Sequence, residues 1–159
     1  MWPFRKKKPW ETEYAENIYS GLVEHNEFGD VSALRLNIPI AAHQAYQNKM
    51  LLQREMLCFV ALMSIANAKT NLQPVMIEFG DMVVAKAADR GLQLTRDQLA
   101  QHALRDFERM TQDAPKWAQQ WLSEFRADPN DNFMVILFAD HCLRLFGAYQ
   151  TAIETTKRG

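Results

Sequence analysis

Met56-Leu57-Cys58-Phe59-Val60-Ala61-Leu62-Met63 is apolar on every side of a helix, and after Pro39 no glycine or proline interrupts the chain until Pro74. The spacing predicts one helix over about 39–69, on the order of 45 Å long at 1.5 Å per residue. A helix apolar all round needs other elements around it, so residues 56–63 are expected at the centre of the fold. Pro39 suits the first turn, where its missing N–H is not needed. Asn67 to Pro74 forms the next break.

On the C-terminal side, a third helix is expected over about 74–90, with Val75, Phe79, Met82 and Val83 inward. Lys86, Arg90 and then Gly91 make its stop signal. Thr95-Arg96-Asp97-Gln98 has the form of a capping box, flanked by Leu94 and Leu99 as a hydrophobic staple. The fourth helix continues through Ala103, Phe107 and Met110. Asp113-Ala114-Pro115 restarts the chain, Trp117, Trp121 and Phe125 follow at i, i+4 and i+8, and Asp128-Pro129-Asn130 ends that short helix. Phe133-Met134-Val135-Ile136-Leu137-Phe138 alone would pass for a buried strand. Met134, Leu137, Phe138, His141, Leu145, Tyr149 and Ile153 carry helical spacing onward, and no second strand exists to pair with it, so a long helix over about 131–156 is predicted.

On the N-terminal side, Trp10, Tyr14, Ile18 and Leu22, with Tyr19 and Val23 alongside, form an apolar stripe. Glu11, Glu13 and Glu16 suit the positive end of its dipole, and Gly29-Asp30 ends it. Ile38-Pro39 disfavours a continuous helix, so residues 31–38 are expected as a loop or short helical turn. The expected fold is all-α: a single-domain antiparallel bundle of about six helices, two of them long. Residues 1–10 form a basic and aromatic segment, 11–156 the helical domain and 157–159 a tail.

Composition agrees with a globular chain: 48% of residues are hydrophobic and 23% charged. The net charge of −1 conceals an asymmetry. Residues 1–10 hold Arg5, Lys6, Lys7 and Lys8 and no acid, leaving 14 basic against 19 acidic side chains elsewhere, a net of −5. Nucleic-acid-binding domains carry the opposite balance, so nucleic acid is not an expected partner. Cys58 and Cys142 lie far apart in apolar stretches, which suits free thiols in a reducing compartment. The basic run is followed by Pro9-Trp10-Glu11-Thr12-Glu13, where a secretory signal needs apolar residues. The longest apolar runs fall short of the roughly 20 residues that span a bilayer, so both are expected as core helices. A cytoplasmic location follows, with peripheral contact at the inner face of a membrane allowed by the basic segment.

Chemical motifs are sparse. No Glu-x-x-His pair and no His-Glu-x-x-His occurs, so the carboxylate-bridged metal pattern is missing. His102 and Asp106 share a helix face, and Asp140-His141-Cys142 is a compact cluster, but neither is a complete ligand set. Cys58 sits in the most apolar segment, and the serines lack nucleophile context. Glycine-rich phosphate loops are absent. Neither a catalytic residue, a metal nor a cofactor is therefore expected. Leu94 to His102 opens like a helix-turn-helix, but the pattern runs on to Met110, and the next helix adds only Lys116 and Arg126 as cations.

Two surfaces remain. Trp2, Phe4, Arg5, Lys6, Lys7, Lys8 and Trp10 suit a partner or an anionic membrane, each cation adding about 1 kcal/mol there. The competing expectation is a solvated terminus whose Trp10 merely starts the first helix. Trp117, Trp121 and Phe125 offer an interface for another subunit or a partner helix, unless the domain's own helices cover them. The leading expectation is a non-catalytic helical interaction protein, such as an adaptor, assembly factor, chaperone-like or regulatory subunit, that also pairs with itself. A small helical enzyme or ligand-binding bundle, with His102, Asp106, His141 or Glu78 converging, comes second, and a DNA-binding regulator third.

Overall fold

The computed structural model describes residues 8–24, 31–125 and 131–155. Among these there are six α-helices and no strand: α1 (Trp10–Ile18), α2 (His43–Ala68), α3 (Gln73–Asp89), α4 (Arg96–Gln112), α5 (Ala114–Leu122) and α6 (Asn132–Thr155). The chain is an all-α helical bundle. Residues 133–138, which alone would pass for a strand, are helical.

Local chemistry places several boundaries. The capping box at α4 is formed: the Gln98 N–H donates to Thr95 Oγ1 at 3.1 Å, and the Thr95 N–H donates to Gln98 Oε1 at 2.9 Å. Asp113 caps α5 by accepting from the Lys116 N–H at 3.2 Å, and Asp131 caps α6 through the Met134 N–H at 3.2 Å. At the end of α3, Gly91 adopts φ +90°. Its N–H donates to the Ala88 carbonyl, and that of Leu92 to the Ala87 carbonyl, so the last carbonyls are satisfied in a Schellman turn.

Residues 31–38 form a helical turn with more structure than a loop. Ser32 Oγ accepts from the Arg35 N–H at 3.2 Å, and Asn37 takes the left-handed conformation at φ 56°. Asn37 and Ile38 donate to the carbonyls of Leu34 and Ala33, which is again a Schellman closure, with asparagine in the place glycine usually takes. The turn buries Val31, Ala33, Leu36 and Ile38, and Val31 accepts a hydrogen bond from the Tyr46 hydroxyl.

α1 runs directly into a π-helical turn, Tyr19–Val23. Ala15, Ile18, Tyr19 and Val23 are buried, while Trp10, Tyr14 and Leu22 are partly buried along the edge of the core. α2 is the centre, as its composition requires. It packs against α3, α4, α6 and the π turn, and every residue from Leu57 to Leu62 is buried. By length and composition Ile40–Ala68 could cross a membrane, yet 67% of its most apolar window is buried by this chain's own elements. It is a core helix here. α3 approaches α2 closely at Gly80, where an added Cβ would meet Phe59 Cζ at 3.0 Å.

Candidate functional site

The Trp117, Trp121 and Phe125 side chains point inward and are buried. Tyr46 meets the Trp121 and Phe125 rings edge-on, with centroids 5.7 and 5.8 Å away, and Phe138 stacks on Trp117 at 5.7 Å. Buried indole N–H groups need acceptors, and both have one. Trp117 Nε1 donates to Asp106 Oδ1 at 2.8 Å and Trp121 Nε1 to Gln53 Oε1 at 3.0 Å. Gln53 Nε2 closes the network by donating to Asp106 Oδ2 at 2.9 Å. Lys49 covers the outer edge: its Nζ lies 4.5 Å from the Trp121 centroid and 2.8 Å from Glu124 Oε1.

Beside this network α2, α4 and α5 leave a cleft of about 240 Å³, and a larger one of about 530 Å³ adjoins it at Arg109, Trp117 and Gln120. Lys49, Arg109 and Lys116 face Asp106, Asp113 and Glu124 across the two, so the charges balance and favour neither an anion nor a cation. Asp106 has both oxygens engaged by the fold. Of the residues considered for a ligand pocket, His102, His141 and Glu78 line neither cleft. Among the described residues no three His, Cys, Asp or Glu side chains are placed to hold a metal ion.

Cys58 and Cys142 are free and buried. Burial pushes both thiols well above their ordinary range, and the nearby Asp106 charge raises Cys142 further. Burial likewise raises the phenols of Tyr19 and Tyr46. These groups favour the folded state while neutral, so their contribution is complete below the unfolded-state values and is lost as pH rises through the folded ones. At pH 8 a disulfide reagent should label neither thiol of the native chain, and both at once in denaturant. Prompt labelling of either thiol in the native chain would contradict this burial.

The N-terminal candidates divide. Trp10 opens α1 and packs against the core, and Lys8 Nζ pairs with Glu16 at 2.9 Å on the surface. Trp2, Phe4, Arg5, Lys6 and Lys7 lie outside the described residues.

One uncovered surface was not anticipated. On α6, Phe133 is 67%, Ile136 58% and Leu143 39% exposed. Asp140 and Arg144 form an exposed ion pair of 2.9 Å on the same side of the helix. At its edge Phe146 meets Phe107 of α4, with centroids 4.4 Å apart, and the half-exposed Leu104 lies one turn from Phe107. The signal was present in the run 133–138, because six consecutive apolar residues circle a helix and one packed on a single side must expose some of them. No protein-family model matches the chain, and neither a curated protein nor a solved structure matches it.

Proposed function

We propose that this chain is a helical interaction protein, an adaptor, assembly or regulatory subunit, that works through protein–protein contact. The observation that carries this reading is the row of Phe133, Ile136 and Leu143 on α6, which the fold leaves open while it covers the larger Trp117–Trp121 stripe. Large apolar side chains gathered on one exposed side of a helix favour an interaction face. The basic and aromatic residues 1–7 give a second, weaker contact. Trp10 packs against the core and Lys8 pairs with Glu16, while in the sequence Arg5, Lys6 and Lys7 beside Trp2 and Phe4 supply the charges and rings that suit an anionic surface.

A photo-reactive benzoylphenylalanine placed at Ile136, at Phe4, or at the exposed Asp97 tests both parts in the intact chain. Discrete protein adducts are expected at Ile136 and none at Asp97. An adduct at Phe4 distinguishes lipid from protein by its mass. Absence of any adduct at both Ile136 and Phe4 would overturn the proposal.

A further inference from the structure

We infer that the adjoining clefts between α2, α4 and α5 bind a small organic acid, with its carboxylate in the outer cleft and one apolar ring in the inner. This site is independent of the contact face on α6. The two clefts share three walls, because Arg109, Trp117 and Gln120 line both.

Formal charge balances over the pair, but its two ends differ. In the inner cleft Lys49 and Arg109 stand against Asp106 and Glu124. In the outer one Arg109 and Lys116 stand against Asp113 alone. Hydrogen bonding sharpens the difference. Asp106 accepts from Trp117 and Gln53, Asp113 from the first turn of α5, and Glu124 from Lys49. Each carboxylate at the clefts is therefore committed to the fold. The Arg109 guanidinium and the Lys116 ammonium, both exposed, have no ionic or hydrogen-bonding partner among the described residues. Free donors beside committed acceptors suit an acceptor-rich ligand, and the planar guanidinium fork matches a carboxylate. The single excess positive charge of the outer cleft matches a monoanion. A phosphate monoester, with nearly two negative charges, would leave one unmatched beside Asp113.

The inner cleft supplies the place for the ring. Leu52 and Met56, both partly buried, line it beside the Trp117 and Trp121 indoles. Its floor needs no polar partner from a ligand, since the buried Gln53 amide already serves Trp121 and Asp106. At about 240 Å³ it is smaller than the roughly 300–1,000 Å³ of sites for drug-sized ligands, which limits the body to about one ring.

The probe is 3-phenylpropionate, titrated at pH 7 into the isotope-labelled full chain and followed by NMR. The indole N–H signal of Trp117 should shift and saturate with a Kd of about 0.1–5 mM. That of Trp10, which lines neither cleft, should stay in place. The uncharged 3-phenylpropanol should bind at least about tenfold more weakly, the loss expected for a charge-assisted hydrogen bond. Propionate, which lacks the ring, should also bind at least about tenfold more weakly. Arg109→Gln should weaken the acid by about tenfold with an unchanged unfolding midpoint, because the exposed guanidinium has no partner in the fold. A Trp117 signal that shows no saturable shift up to about 20 mM overturns the inference. So does an alcohol that binds as well as the acid, or full affinity in Arg109→Gln.

Discussion

Arg90→Met is expected to destabilise the fold by about 3–5 kcal/mol, because it removes the charge partner of a fully buried carboxylate. Glu55 lies at the middle of α2 with no exposed surface. Its carboxylate takes both terminal guanidinium nitrogens of Arg90, and Oε2 also accepts from the Tyr19 hydroxyl at 2.8 Å. The three residues join the π turn, α2 and the end of α3, so the carboxylate is satisfied only once all three have docked. Without Arg90 the carboxylate stays in the core with one phenol as partner, and the desolvation it suffered is no longer offset. Against a total stability of roughly 5–15 kcal/mol for a domain, this is a large share. Urea denaturation of Arg90→Met should show a midpoint lowered accordingly, and Arg90→Met combined with Glu55→Leu should recover most of the loss. A single variant within about 0.5 kcal/mol of the parent, the range of ordinary surface changes, would refute the role assigned to this pair.

Trp121→Ala is expected to lose a similar amount, about 3–5 kcal/mol, for a different reason. Its ring is buried against Tyr46, Phe125 and Phe138, under the Lys49 ammonium. Truncation leaves a cavity and also strands Gln53 Oε1, which accepts the indole N–H. Trp121→Phe separates the two terms. It keeps most of the packing and should lose only about 1–3 kcal/mol, the penalty for an unsatisfied buried polar group. If Trp121 instead served a partner, Trp121→Ala would leave the unfolding midpoint near the parent value while weakening association. Ile136→Asp should show that second pattern.

Much of the secondary structure was legible because its signals are local. Thr95 and Gln98 are three residues apart, and the groups that close the turn at Gly91 are three and five apart, so neither needs the rest of the fold to be recognised. The turn at 31–38 rests on equally local chemistry, with Ser32 as cap and Asn37 as the left-handed residue. Asn37 is a weaker sign than glycine, and the following Ile38-Pro39 drew attention to a break instead of a closure.

The aromatic stripe and the α6 run show where local signals stop. Trp117, Trp121 and Phe125 clearly share one face of a helix, but spacing alone does not say whether that face is turned toward the chain or toward a partner. Gln53 and Asp106 decide it, and they come from two other helices, so the hydrogen-bond network that holds the indoles exists only after α2, α4 and α5 have met.

By itself the sequence determined the all-helical class, the main helices, and α2 as the core, because periodicity, caps and all-round apolarity act within a few turns of one segment. Only the tertiary structure decided which apolar residues stay in water. Residues 56–63 and 133–138 look alike as text, yet Leu57 to Leu62 vanish into the core while Phe133 and Ile136 do not. α2 has neighbours on several sides, whereas α6 rests mainly on α2 and α5. Burial is set by how many helices surround a segment, and that number is a property of the whole assembly.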